Sequence, residues 1–283
     1  MLCGSVSFAL MGTLTHALRQ TCDWQIIAFA RTFLALVFAL LLAVIARVQL
    51  VFLKPRVLWI RSLAGSVSLV CTFFALTRLP VSEVLTLTNM FPVWVALLSW
   101  PLLKEPPTGQ VWLSVASGIT GVALIQQPHF AEGNFASLLA LVSSVSTAVA
   151  MLGLHRLQQI DIRAIVVHFS FVGLLFCVAA FFLFGHAPQP HEELDGDALL
   201  MLLGVGVTAT VGQLLLTVAF TFGSPARVSV VGLSQIVVAM ALDVIFWNRS
   251  FNTVTLVGMF LVVAPTGWLM VSSRDVVDET APV

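Results

Sequence analysis

Residues 79–105 read LPVSEVLTLTNMFPVWVALLSWPLLKE, and residues 223–249 read GSPARVSVVGLSQIVVAMALDVIFWNR. Each opens on a Pro-containing turn and a charged residue, Glu83 or Arg227. Each then runs through an apolar stretch and closes on a polar pair, Lys104-Glu105 or Asn248-Arg249. The apolar stretches have the length of a membrane-crossing helix, about 20 residues. They lie 144 residues apart, and the same shift lays Ala75-Leu76 on Ala219-Phe220 and Trp112–Ile125 on Leu256–Leu269 without a gap. Earlier in the chain a shift of 137 puts Arg31 on His168, each the first strongly polar residue of its helix. Such self-similarity defines the architecture before any motif does. It predicts two five-helix halves, residues 1–130 and 131–283.

Composition agrees. Of 283 residues, 59% are hydrophobic and 9% charged, with mean hydropathy +1.04. A soluble domain carries about 25% charged residues, so most of this chain meets lipid. Thirteen basic and thirteen acidic residues cancel. No basic field exists to hold a polyanion, so nucleic acid is excluded as a partner. Cys3, Cys22, Cys71 and Cys177 form no CxxC pair and read as small core side chains. Apolar runs stopped by charge, Pro or Gly predict ten spans: Cys3–Leu18, Trp24–Ala46, Val57–Leu76, Val81–Leu103, Gly109–Ile125, Asn134–His155, Arg163–Gly185, Asp197–Phe222, Pro225–Trp247 and Val254–Val271. The first run lacks the basic n-region and cleavage site of a signal peptide, and is read as a span.

Five is odd, so tandem five-helix repeats cross the membrane in opposite senses. Loop charges test this. The loop after the second span carries Arg47, Lys54 and Arg56, with Arg61 just inside the next helix. Its repeat mate, between spans seven and eight, carries Glu192, Glu193 and Asp195 and no Lys or Arg. Cytoplasmic loops attract Lys and Arg. With the N-terminus inside, nine basic residues fall on the cytoplasmic side and three outside. Both termini are therefore expected in the cytoplasm, in an inner or plasma membrane. Inverted repeats are the architecture of secondary transporters, whose site lies between the halves near the bilayer midplane.

The pattern resembles the drug/metabolite transporter superfamily, specifically its EamA-type ten-helix members. The resemblance rests on Leu79-Pro80-Val81-Ser82-Glu83, Phe91-Pro92, Leu102-Leu103-Lys104-Glu105 and Gly118-xx-Gly121. In the second half it rests on Gly223-Ser224-Pro225-Ala226 through Trp247-Asn248-Arg249, and on Gly258. It implies an all-α membrane protein, with ten transmembrane helices in two inverted five-helix repeats around a central cavity. Helices five and ten stand at the periphery. It also implies transport of an amino acid, a nucleotide-related metabolite, another organic metabolite or a drug. The chain departs from the family pattern where Asn248-Arg249 replaces the acidic residue expected after helix nine.

Polar side chains in lipid are costly, so their helical phase is informative. Ser82, Thr86, Asn89 and Val93 share one face of helix four, beside Met90 and Trp94. Amide and hydroxyl groups fix the orientation of a small organic solute, while Met and Trp supply adaptable apolar contact. Thr86, Asn89, Met90 and Trp94 are the solute contacts expected from this half. Gln213 of helix eight and Ser234 and Gln235 of helix nine are those expected from the other. For the two glutamines, bonding between helices fits equally well. Pro92 frees a carbonyl in mid-helix, as a hinge or a tolerated kink. Arg31 either snorkels outward or binds a carboxylate. His168 is a second candidate for charge recognition or proton coupling, against an ordinary packed role for it, His16 and His155. Asp243, late in helix nine, is expected to pair. The glycines of helix five (Gly118, Gly121) and helix eight (Gly204, Gly206, Gly212) form small faces for close helix approach.

No GxSxG, HExxH or paired aspartate sits in a span, so an enzyme is not expected, and no cofactor or metal either. A membrane-embedded enzyme or a channel is the alternative class. Residues 190–197, Pro-His-Glu-Glu-Leu-Asp-Gly-Asp, lack EF-hand spacing and read as a solvated acidic loop. The expected partners are a small-molecule solute and the lipid bilayer. A monomer is compatible with everything above.

Overall fold

The computed structural model describes residues 1–18, 21–22, 24–76, 78–79, 81–104, 106–127, 135–184, 196–248 and 250–279. Arg19, Glu105, Arg249, the boundary expected at residue 130 and the acidic stretch 190–195 lie outside the described residues. Twelve α-helices follow in order: α1 (Leu2–Leu18), α2 (Trp24–Ile45), α3 (Arg56–Leu76), α4 (Val81–Thr88), α5 (Phe91–Leu103), α6 (Gly109–Gln126), α7 (Phe135–His155), α8 (Ile162–Phe184), α9 (Gly196–Phe222), α10 (Pro225–Gly232), α11 (Ser234–Trp247) and α12 (Thr253–Glu279). They make ten rods. The expected fourth and ninth spans are present, each interrupted once: α4 and α5 share one rod and α10 and α11 the other.

Six rods are long and apolar enough to cross a membrane: Gln25–Ile45, Val84–Leu103, Phe135–His155, Ile162–Phe182, Gly196–Phe222 and Pro225–Phe246. Leu2–Leu18 and Thr253–Leu269 are shorter apolar helices. α3 and α6 have 21 and 18 residues, enough for about 27–32 Å at 1.5 Å per residue. Ser, Thr and Gly, and in α3 two arginines, dilute their apolar side chains. The outward faces are largely apolar, with Val44, Ile45, Phe182, Leu200 and Phe260 each more than two-thirds exposed. In water such a surface aggregates; in lipid it is the ordinary exterior.

The packing is antiparallel between halves. Along α6 and α12, Ser117 donates to the Leu261 carbonyl at 2.9 Å, Gly121 abuts Gly258, and Gln127 reaches Asn252 at 3.2 Å. Residue numbers rise on one helix as they fall on the other. Along α2 and α8, Thr32 meets Cys177 while Ala39 and Ala43 cluster with Val166 and Val167. These are the fifth and second helices of each half, so equivalent helices point in opposite directions and the repeat is inverted. Neighbour relations exchange accordingly: α3 packs on α7 as α9 packs on α1, and α5 packs on α7 as α11 packs on α1.

Local backbone features recur at the same 144-residue interval. Lys104 (φ 62°) and Asn248 (φ 48°) end α5 and α11 in the left-handed region. Thr108 caps α6 by accepting from the Val111 N–H at 3.4 Å, and Asn252 caps α12 by accepting from the Thr255 N–H at 2.8 Å. Short polar residues at these positions satisfy the first N–H groups, which have no partner in lipid. The glycine faces act within the bundle. A methyl group at Gly121 would stand 2.6 Å from the Gly258 carbonyl oxygen, and one at Gly258 would stand 2.7 Å from that of Gly121. On α9, Gly204, Gly206 and Gly212 make room for Leu14, Leu34 and Phe8. Small residues replace hydrophobic driving force with close backbone contact.

Candidate functional site

Two rods are interrupted. In the first, Pro92 has no N–H, so the Thr88 carbonyl loses its helical donor. The chain makes a tight turn at Asn89-Met90, closed by Met90 N–H to the Leu87 carbonyl at 3.2 Å and Val93 N–H to the Met90 carbonyl at 3.0 Å. The second rod contains no proline at its break. There Gly232 lowers helix propensity, and the Ser234 hydroxyl donates to the Val231 carbonyl at 2.7 Å, competing with the backbone. Leu233 N–H bonds the Val230 carbonyl at 3.0 Å, and Ile236 N–H bonds that of Leu233 at 3.0 Å. Asn89 and Leu233 are 144 residues apart, so the interruptions occupy equivalent positions.

The breaks also meet. A Cβ on Gly232, the last residue of α10, would lie 3.7 Å from the Phe91 ring, the first residue of α5. Phe91 packs at once against the cluster holding Leu233, Ile236 and Met240, the cluster holding Leu58, Leu154 and Phe220, and the cluster holding Val95, Ala148 and Leu152. One half-buried aromatic ring therefore joins α5 to α7 and α11 at the point where both rods lose helical continuity.

Of the expected solute contacts, Asn89, Met90, Ser234 and Gln235 flank the two breaks, Thr86 and Trp94 stand about a turn either side of the first, and Gln213 stands on α9. Trp94 Nε1 donates to Ser144 Oγ of α7 at 3.0 Å. Asn89 turns its amide back on the Leu85 carbonyl at 2.7 Å. Thr86 is buried on α4, and Met90 packs against the cluster of Ala75, Leu79, Val84 and Ala140. Ser234 is buried and bonded within its own turn, and Gln235 beside it is half-buried. Gln213 is buried on α9 with its Nε2 lacking a partner among the described residues. There, no hydrogen bond joins Asn89 or Trp94 to Gln213, Ser234 or Gln235. Of the expected set, Trp94 hydrogen-bonds another helix, and Met90 packs against side chains of α3 and α7.

Arg31 and His168 are not brought together. Arg31 is half-buried on α2, where Thr32 Oγ1 approaches Cys177 Sγ of α8 at 3.8 Å. His168 stands nine residues earlier on α8, about 13 Å along the helix. Its Nδ1 pairs with Ser62 Oγ of α3 at 2.8 Å, and its ring lies edge-on to Trp59 at 4.7 Å.

Two polar groupings escape a reading by helical face. Ser68 and Thr72 of α3 interlock with Ser143 and Thr147 of α7 through contacts of 2.9, 2.6 and 2.7 Å. The i, i+4 spacing within each pair is the signal that could have found them. Arg61, expected as a charge near the cytoplasmic surface, is only 1% exposed. Among the described residues, no group of three His, Cys, Asp or Glu side chains could hold a metal ion.

Trp94 invites a conservative test. Ser144 also donates to the Leu141 carbonyl at 2.7 Å, so Trp94→Phe leaves it with a partner. The expected cost is about 1 kcal/mol, read as a small fall in the melting temperature of detergent-purified protein.

Comparison with known proteins follows this geometry. The model of a family described as EamA-like transporters matches twice, over residues 1–127 and 134–271. The chain is 26% identical over 261 residues to the pseudopaline exporter CntI of Pseudomonas aeruginosa (strain UCBPP-PA14), covering 92% of this chain and 90% of that protein. It is 24% identical to human solute carrier family 35 member G1, covering 72% of this chain and 59% of that one. A crystal structure superposes with TM-score 0.81 at 16% identity, covering 95% of this chain and 97% of the other. That last likeness concerns the fold alone.

Proposed function

The chain belongs to the EamA-like transporter family, and from that membership we propose a carrier for a small organic solute working by alternating access. It is a multi-pass membrane protein of a transporter family, and its relatives' names denote transporters rather than enzymes. The observation that carries the finer reading is the meeting of two helix interruptions at equivalent places in inverted halves. Interrupted helices supply polar backbone at mid-membrane, where continuous helices have none to offer. The halves, residues 1–130 and 131–283, rock against each other about this junction. Either membrane face then gains access in turn.

Thr86, Asn89, Met90 and Trp94 contact the solute from one side, and Gln213, Ser234 and Gln235 from the other. The unanswered Gln213 amide favours this, because a buried amide without a partner is costly unless something else completes it. Arg31 and His168 serve charge recognition or coupling in this reading, with both termini in the cytoplasm of an inner or plasma membrane.

The test is counterflow in proteoliposomes with a panel of amino acids, nucleosides and organic acids. Asn89→Ala and Trp94→Ala are expected to lower saturable flux about tenfold, the equivalent of 1.4 kcal/mol, with folded yield retained. Unchanged flux in both variants would remove these residues from the site.

A further inference from the structure

We propose that Arg61, with Ser62 and His168 beside it, forms a subsite for the carboxylate of the transported solute, an inference that rests on the carrier reading above. Arg61 is the largest fully buried side chain of the described residues, and its Nε and Nη1 have no hydrogen-bond partner there. It is held on three sides. Its stem lies against Gly153 of α7, where an added Cβ would stand 3.1 Å from the Arg61 Cβ. Its guanidinium lies over the Phe169 ring of α8, 3.9 Å from the centroid. Its chain neighbour Ser62 holds His168 Nδ1 at 2.8 Å, and the His168 ring also meets the Phe52 backbone.

A buried charge needs a counter-charge or strong hydrogen bonds. Nothing among the described residues supplies either. The three helices around Arg61 (α3, α7 and α8) contain no Asp or Glu anywhere along their lengths. The Phe169 face attracts the cation but leaves its in-plane N–H groups unanswered. What is missing is an anionic acceptor.

The inverted repeat rules out a packing role as sufficient reason for the charge. The position 144 residues on from Arg61 is Val205, the tenth residue of α9. It is 0% exposed in an apolar cluster with Leu18, Cys22, Ile27, Ala198 and Leu202, drawn from α1, the turn after it, α2 and α9. That niche is built from the equivalent helices and filled by hydrocarbon. The fold therefore does not require a cation there. At Arg61 it carries one, together with a histidine–serine pair that joins the two halves.

The chemistry favours a carboxylate. A single fixed positive charge matches a monoanion, whereas a phosphate dianion would leave one charge uncompensated. Planar donors match a planar acceptor. The aromatic rings of Trp59, Phe169 and Phe52 give the remainder of the solute apolar walls; Phe52 lies 5.8 Å from the His168 ring.

The experiment uses the full chain, purified in detergent, with benzoate, succinate and glutamate as probes. Benzamide serves as the uncharged isostere and inorganic phosphate as the alternative anion. At least one carboxylate is expected to raise the wild-type melting temperature, with benzamide and phosphate without effect. Arg61→Gln should weaken that carboxylate at least tenfold, and Arg61→Lys should keep part of the binding. Without any probe, Arg61→Leu should melt at or above the wild type, because an uncompensated charge has gone. Equal carboxylate binding by wild type and Arg61→Gln overturns the proposal. So does stabilisation by phosphate alone, or by none of the probes. Counterflow in proteoliposomes separates this from the carrier reading. Saturable uridine flux that is unaffected by Arg61→Gln, with no carboxylate flux, overturns the subsite and leaves the carrier standing. Absence of saturable flux for every solute of the wider panel removes both.

Discussion

Gly121→Val is expected to prevent α6 and α12 from docking and to cut the yield of folded protein several-fold. The Cβ alone would stand 2.6 Å from the Gly258 carbonyl oxygen and 2.8 Å from a Val262 methyl. The first of these atoms is backbone, so no rotamer change relieves the contact. The helices must separate, which also breaks the Ser117 bond to the Leu261 carbonyl. Overpacking of this kind costs about 1–3 kcal/mol, and the lost close approach adds to it. Gly258→Val should behave alike, since its Cβ meets the Gly121 carbonyl oxygen at 2.7 Å. The pair should not be additive, because either substitution already separates the same two helices. Size-exclusion profiles and melting temperatures in detergent check both statements. Gly12, where an added Cβ meets nothing within 4 Å, provides the control: Gly12→Ala should be well tolerated.

Phe91→Ala should abolish transport while leaving most of the protein folded. The ring touches three apolar clusters and, beside the Met1 side chain, lies against Gly232 where the interruptions meet. Removing a buried Phe costs about 3–5 kcal/mol; Phe91 is half-buried, which places it near the lower figure. The functional loss should exceed the structural one, because the two breaks would no longer bear on a common surface. Phe91→Leu, which keeps apolar contact to both rods, should recover a substantial part of the flux. A Phe91→Ala variant that transports at wild-type rate would show that the junction plays no part in the transport cycle.

Much of the architecture was legible from residue order. Apolar runs bounded by charge and proline marked the ten rods, because a lipid environment demands long helices with satisfied backbones. The interval of 144 residues was visible in the paired stretches 79–105 and 223–249. The first helix interruption had a local signal in Pro92. The second did not, since Gly232-Leu233-Ser234 occurs within many continuous helices. The predicted site was only partly legible. Helical phase put Asn89 and Trp94 on promising faces, yet it could not say that Asn89 turns back on Leu85 while Trp94 reaches Ser144. The hydroxyl cluster of Ser68, Thr72, Ser143 and Thr147 was missed because each residue, taken singly, reads as neutral helix packing.

Local sequence, then, determined length, lipid exposure, caps and the inverted repeat, since each depends on composition over a few turns and on a fixed register. Tertiary structure decided which side chains share a neighbourhood. Arg61 makes the difference plain: five residues into α3, beside a basic loop, its position suggests an exposed cytoplasmic charge. Only the approach of Gly153 and Phe169, from helices some 90 and 110 residues away in the chain, encloses it. No pattern along a single helix encodes such an enclosure, because burial is a property of the surfaces that surround a residue.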